Sequence, residues 1–231
     1  MLLDQTIAGR RCALWVPEGT GPFALSLCCC GLASELLPQL GALSPNRLFV
    51  SPEANWEIDF TPWPAPTLQG GRPFADGSVL GGAPAFLRWV EGELLPALAA
   101  QFALAPAQNS VLGYSLGGLF ALWAVCQSEA FSQCACLSGS LWYPGWVNFL
   151  KEHAPKPPQR VYLSLGKKEE KSGPAVMRAV GDATRQSAGL LAQSLGCENT
   201  VLEWNPGGHF APALPRWEKA LGWLDFPPNK R

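Results

Sequence analysis

Short apolar runs alternate along the chain with longer segments of helical period, the pattern of a parallel sheet covered by helices on both faces. The runs Cys12–Val16, Phe23–Cys30, Arg47–Ser51, Ser110–Tyr114, Cys134–Ser138, Val161–Leu165 and Val201–Asn205 predict strands. Apolar residues at helical spacing predict helices over roughly Gly82–Phe102, Leu116–Ser128, Pro174–Leu195 and Leu214–Trp223. The third of these opens on a proline shortly after Ser172, a normal first-turn arrangement. Segments rich in proline and glycine, Asn55–Pro73 and Pro144–Pro158, read as loops. There is no internal repeat and no dividing linker, so residues 1–231 are expected to form a single α/β domain with a doubly wound, mostly parallel sheet.

Composition narrows the function. With 48% hydrophobic and 15% charged residues, the 231-residue chain has ample material for a sheet buried on both faces. Its formal net charge is −1, and no basic block exceeds Lys167-Lys168. A nucleic-acid partner, which demands a basic stripe to neutralise phosphates, is not expected. Met1–Arg11 carries Asp4 near its start and arginines at its far end, the reverse of a secretory leader. No stretch reaches the ~18 apolar residues of a membrane span.

The eight cysteines (Cys12, Cys28, Cys29, Cys30, Cys126, Cys134, Cys136 and Cys197) include three in a row within an apolar run, which cannot all find bridging geometry. They point to free thiols and a cytoplasmic location. Neither the triple nor Cys134-x-Cys136 has the two-residue spacing of a zinc site, so no metal is expected.

Candidate chemistry centres on Gly113-Tyr114-Ser115-Leu116-Gly117-Gly118, which follows a predicted strand and opens a predicted helix. Gly-x-Ser-x-Gly in that setting makes a sharp turn that lifts a serine hydroxyl above the sheet. The base must be one of two histidines. His209 follows the last predicted strand in Gly207-Gly208-His209, whereas His153 lies in the polar segment Lys151-Glu152-His153 and precedes any candidate acid. The chain order serine, acid, histidine therefore selects His209. Between the two, the strand Val161–Leu165 runs into Gly166-Lys167-Lys168-Glu169-Glu170, which leaves Glu169 and Glu170 as candidate acids; Asp182, inside a helical pattern, ranks third. Oxyanion donors are expected from the backbone N–H of Leu116 and from the loop at Gly31 and Leu32. Cys30, without a histidine nearby in sequence, is a weak competing nucleophile.

Around these residues the chain resembles the putative esterase family, which includes esterase D, feruloyl esterases and siderophore esterases. The similarity runs from about Arg47 to Trp223. Ile58-Asp59-Phe60-Thr61-Pro62-Trp63-Pro64 looks like the family's Arg-Asp-x-Thr-Pro-x-Pro segment, with Ile58 in place of the arginine. Gly82–Leu87 through Glu93–Pro96 looks like its long helix, and Ser138-Gly139-Ser140-Leu141-Trp142-Tyr143 resembles its Ser-Pro-Ser-Leu-Trp-Trp.

The resemblance implies an α/β-hydrolase fold and a serine esterase working through an acyl-enzyme without a cofactor. It favours Glu169, three residues after the glycine that ends its strand; Glu170 and a Ser-His dyad stay open. It implies a small-molecule ester substrate, of siderophore type or another aromatic ester, with Trp56, Trp63, Trp142 and Tyr143 either stacking on it or filling the core beneath the loops. The chain is short for the family, which leaves little room for a lid. Acyl transfer on the same scaffold and a noncatalytic binding role are the rival functions. Oligomeric state is not legible.

Overall fold

The computed structural model describes residues 1–31, 33–65, 81–157, 159–173 and 175–225. Its strands, in chain order, are β1 (Leu2–Ile7), β2 (Arg10–Trp15), β3 (Ala24–Cys29), β4 (Arg47–Pro52), β5 (Ser110–Tyr114), β6 (Gln133–Leu137), β7 (Arg160–Gly166) and β8 (Thr200–Asn205). Among the described residues these eight make one sheet in the order β1-β2-β4-β3-β5-β6-β7-β8. β1, β2 and β4 pair antiparallel; every pairing from β4 through β8 is parallel.

All seven expected strands are present within two residues of their expected bounds. β1 was not among them. Its sequence LLDQTI lies on the sheet's outer edge, where only Ile7 is fully buried and no continuous apolar run is needed.

The helices are α1 (Ala33–Leu43), α2 (Trp56–Asp59), α3 (Ala83–Trp89), α4 (Leu95–Gln101), α5 (Leu116–Gln127), α6 (Trp146–His153), α7 (Ala175–Arg178), α8 (Val180–Leu195) and α9 (Leu214–Asp225). Departures from the expected pattern are local, and α2 lies within the segment read as the loop Asn55–Pro73. α1 was hidden by Pro38 in its interior. α6 occupies part of the segment read as the loop Pro144–Pro158; Gly145, at φ +85°, forms its start. α3 and α4 are joined by one wide π turn, Val90–Leu94, in which the Leu95 N–H reaches the Val90 carbonyl. Pro96 lacks an N–H and its ring would strike a carbonyl one turn back, so the helix widens there instead of ending. The helix expected from Pro174 is divided between α7 and α8.

The alternation of side chains along the inner strands separates two cores. Leu25, Leu27, Cys29, Val111, Cys134 and Cys136 face the layer of α3 to α6 and α8, while Cys28, Leu112, Ala135 and Leu137 face α1 and α9. α5 is buried nearly all round, which is why its sequence LGGLFALWAVCQ carries no charge. All eight cysteines are free, and burial pushes the Cys30 thiol up to about 12, so it is no nucleophile. Among the described residues no helix is long and apolar enough to cross a membrane, and no group of three His, Cys, Asp or Glu residues could hold a metal ion. The parallel strands β5 to β8 end at one edge of the sheet, and the candidate residues leave from those ends.

Candidate active site

Ser115 sits between β5 and α5 at φ +58° and ψ −122°, a conformation that non-glycine residues seldom hold and that costs on the order of 1–3 kcal/mol. Neighbouring contacts impose it. The Ser115 N–H donates to the Leu137 carbonyl at 3.0 Å, and its carbonyl accepts from the N–H groups of Ser140 (3.0 Å) and Leu119 (3.1 Å). The turn closes because Gly113 and Gly117 lack side chains: a Cβ on the first would run into the Gly117 carbonyl, and on the second into the Cys29 carbonyl.

His209 follows β8 on a loop that turns at Gly207 (φ +84°). Its Nε2 lies 3.1 Å from Ser115 Oγ, and its Nδ1 lies 2.8 Å from Glu169 Oε2. An ionised carboxylate only accepts, so Nδ1 carries the proton and Nε2 offers its lone pair to the serine hydroxyl. Ser140 Oγ stands 3.4 Å from Ser115 Oγ on the other side.

Glu169 is 5% exposed. Burial alone pushes its carboxyl up, but hydrogen bonds from His209, from the Gly166 N–H and from the Ser138 hydroxyl outweigh that, and the group ends below the ordinary carboxylate value. The two oxygens are used differently. Oε2 faces the imidazole, while Oε1 receives the Gly166 N–H (2.7 Å), the Ser138 hydroxyl (2.8 Å) and Arg216 Nη1 (2.9 Å). Gly166 ends β7 where a Cβ would lie 2.7 Å from the Gly207 carbonyl and 2.8 Å from both Arg216 Nη2 and Glu169 Oε1.

The three sequence candidates Ser115, His209 and Glu169 thus form one hydrogen-bonded chain. Glu170 turns away to Arg185 at 2.8 Å, and Asp182 also pairs with Arg185, at 3.1 Å. His153 is exposed at the end of α6, stacked on Phe149. Leu116 is the first residue of α5, where an N–H has no acceptor within its own helix. Cys29 is level with Gly113 at the end of the β3–β5 register, and Gly31, two residues on, lines the same cleft as Tyr114. Leu32 lies outside the described residues.

The aromatic candidates divide. Tyr143 is only 2% exposed, with its hydroxyl donated to the Trp63 carbonyl, so it fills the core and does not face a substrate. Trp63 packs on Tyr143 and Phe149 and donates its indole N–H to the Pro144 carbonyl. Trp142 and Trp56 are half-buried, and Trp56 joins Gly31, Leu36, Tyr114 and Leu214 around a cleft of about 300 Å³.

Residues not foreseen complete the surroundings. Tyr114 donates its hydroxyl to the His209 carbonyl at 2.6 Å, and Arg216 is buried against Glu169. Phe210, 99% exposed, stands edge-on to the imidazole at 5.1 Å. Tyr114 and Phe210 have a sequence signal, one preceding the serine and the other following the histidine, whereas Arg216 has none.

A mostly parallel sheet between helical layers, with a serine elbow after the central strand and a histidine loop after the last, is the α/β-hydrolase fold. The family model for putative esterases matches residues 50–221, and the chain belongs to that family. Its activity class is accordingly ester hydrolysis. Among solved structures it is similar to an IroE-like serine hydrolase from Shewanella oneidensis (TM-score 0.79, 19% identity, 96% of this chain and 79% of that one). It is also similar to the siderophore hydrolase EstB from Aspergillus nidulans (0.69, 17%, 98% and 95%). A third is the enterobactin esterase FES from Shigella flexneri (0.67, 20%, 97% and 57%), so the chain spans little more than half the length of that enzyme.

Proposed function

We propose that this chain is a serine hydrolase that cleaves a carboxylic ester through an acyl-enzyme on Ser115. The observation that carries the reading is the unbroken chain from Ser115 Oγ through His209 to Glu169, at 3.1 and 2.8 Å, on a strained elbow. His209 Nε2 takes the hydroxyl proton as Oγ attacks the ester carbonyl. Negative charge gathers on the carbonyl oxygen beside the N–H of Leu116 and the backbone at Gly31, next to the positive end of α5. The imidazolium returns its proton to the departing alkoxide, and the acyl group stays on Oγ. Water, deprotonated by the same imidazole, then releases the acid. Glu169 holds the tautomer and balances the imidazolium charge without taking its proton. The residues need no cofactor for these steps.

The substrate we infer is an ester with an aromatic acyl group, of the siderophore type. Two similar proteins are named for siderophore or enterobactin cleavage, Phe210 offers ring surface beside His209, and the half-buried Trp142 comes two residues after Ser140, whose hydroxyl stands by Ser115. We further read residues 1–231 as one domain, and the cytoplasm as its compartment, on the strength of eight free thiols.

The test is Ser115→Ala together with a fluorophosphonate. The parent should be labelled at Ser115, and the variant should lose roughly a millionfold in turnover while melting at nearly the same temperature. Labelling at another residue, or an active variant, would end the reading.

A further inference from the structure

Arg216 stands in the first turn of α9 and is 1% exposed. Arginine is tolerated at that burial only when its donors meet acceptors. Here Nη1 donates to Glu169 Oε1 and the Tyr114 hydroxyl, each at 2.9 Å, and to the Ser138 hydroxyl; Nη2 donates to the Gly208 carbonyl at 2.7 Å. Tyr114 passes the contact on, donating to the His209 carbonyl. One guanidinium therefore grips the acid directly, the histidine loop at two successive carbonyls, and the residue before the nucleophile.

We propose that Arg216 is a positioning residue for the Ser115–His209–Glu169 set: it holds the acid, the histidine loop and the elbow in register, and its charge limits how tightly Glu169 grips the protonated imidazole. The inference rests on the reading of those three groups given above.

The positioning half follows from the forked geometry. With Oε1 fixed by Arg216, Ser138 and Gly166, the carboxylate can turn only Oε2 toward His209. The charge half follows from burial. A buried carboxylate with no cation on its other oxygen would favour the imidazolium over the neutral imidazole. A base already protonated cannot accept the serine proton. The guanidinium 2.9 Å from the other oxygen offsets that pull. Among the described residues, Arg216 from α9 and Tyr114 at the end of β5 face the pair, and Lys168 in the loop after β7 has its Cβ beside Gly208. Glu170 is engaged by Arg185.

The deciding measurement is the rate at which a fluorophosphonate labels Ser115 across pH ~5 to ~9, the range in which imidazole changes charge. It is made on the parent, Arg216→Met and Arg216→Lys, each with its folded fraction taken from circular dichroism. Arg216→Met should label about a hundredfold more slowly at neutral pH, with the acid limb of the profile moved up by about one unit. Arg216→Lys should restore the limb, because it keeps the charge, yet stay about tenfold slow, because an ammonium cannot make the forked contacts.

A purely structural arginine would slow labelling only in step with the unfolded fraction and leave the limb in place; that result overturns the proposal. If Arg216→Met does not fold, the lysine variant decides alone. A rate per folded molecule that is still slowed, with an unmoved limb, supports the proposal; a parental rate per folded molecule or a displaced limb defeats it. Failure of the parent to label at Ser115 would instead remove the underlying hydrolase reading.

Discussion

Arg47 and Arg216 are both buried, both paired to carboxylates, and they brace the two ends of α9 at opposite edges of the sheet. Arg47, at the start of β4, binds Asp225 at the helix's last residue (2.5 Å) together with Ser26 (3.1 Å), Ser110 (3.0 Å) and Gln133 (3.5 Å). Arg216, near the helix's beginning, binds Glu169, Ser138, Tyr114 and the Gly208 carbonyl. The chemistry of the two clusters is nearly the same. Their difference is connectivity. Every described partner of Arg47 belongs to the frame, while Glu169 keeps one oxygen for a histidine whose side chain is 30% exposed and touches a serine hydroxyl. A buried ion pair becomes part of a reactive site when one of its atoms is left to a group that meets solvent. Cavity size is a poorer guide: the wider recess, about 1070 Å³, opens beside Arg47, and no histidine lines it.

The sharpest way to break this contrast is to exchange the carboxylates. Glu169→Gln should lower turnover by on the order of a thousand- to ten-thousandfold, whereas Glu170→Gln should leave it within a fewfold, because Glu170 pairs with Arg185 away from the imidazole. Equal rates for both variants in an ester assay would make the site a dyad. The same variant has a signature in stability. Because the Glu169 carboxyl is held below its ordinary value, its contribution is complete above the unfolded value of ~4.3 and disappears as pH falls through the lower folded one. An acid titration of Glu169→Gln should therefore lose less stability below pH ~4.3 than the parent does.

Next in size is the frame. Arg47→Met should cost roughly 2–4 kcal/mol in denaturant unfolding, discounted for the partial exposure of Asp225. Turnover per folded molecule should be unchanged, and a loss of kcat matching that of a Glu169 variant would erase the distinction between the clusters.

The smallest effect concerns the rim. Phe210→Ala and Trp142→Ala should each lower kcat/KM for aromatic acyl esters about tenfold relative to an acetyl ester, the worth of roughly one stacking contact. Uniform losses across both substrates would place those rings in the framework instead.

What the sequence disclosed follows from the range of the interactions. Strands β2 to β8 and the elbow at Ser115 are specified by adjacent residues, so apolar runs and the glycines at 113 and 117 announce them. His209 is legible because it comes just after a strand; the same rule leaves Glu169 and Glu170 both open, and the family resemblance favours Glu169. Arg216 is not legible. It reads as one basic residue on an amphipathic helix, and its partners Tyr114, Ser138 and Glu169 lie 102, 78 and 47 positions away. For Tyr143 the sequence leaves stacking and core filling both open: its place after Trp142 in a site-like segment says nothing of the Trp63 carbonyl that draws its hydroxyl inward.

Gly166 has no reactive group and ends a strand whose residues are all buried. A methyl there would nonetheless lie within 2.8 Å of three atoms, one on each of Gly207, Arg216 and Glu169. The Gly207 carbonyl is main chain and cannot swing aside, so the added carbon would shift the histidine loop against the acid. In a saturation scan scored by enzyme activity, position 166 should therefore look as unforgiving as the nucleophile, though nothing at 166 takes part in bond making. Intolerance at such a position records a clearance, and a clearance has to be measured in the folded molecule.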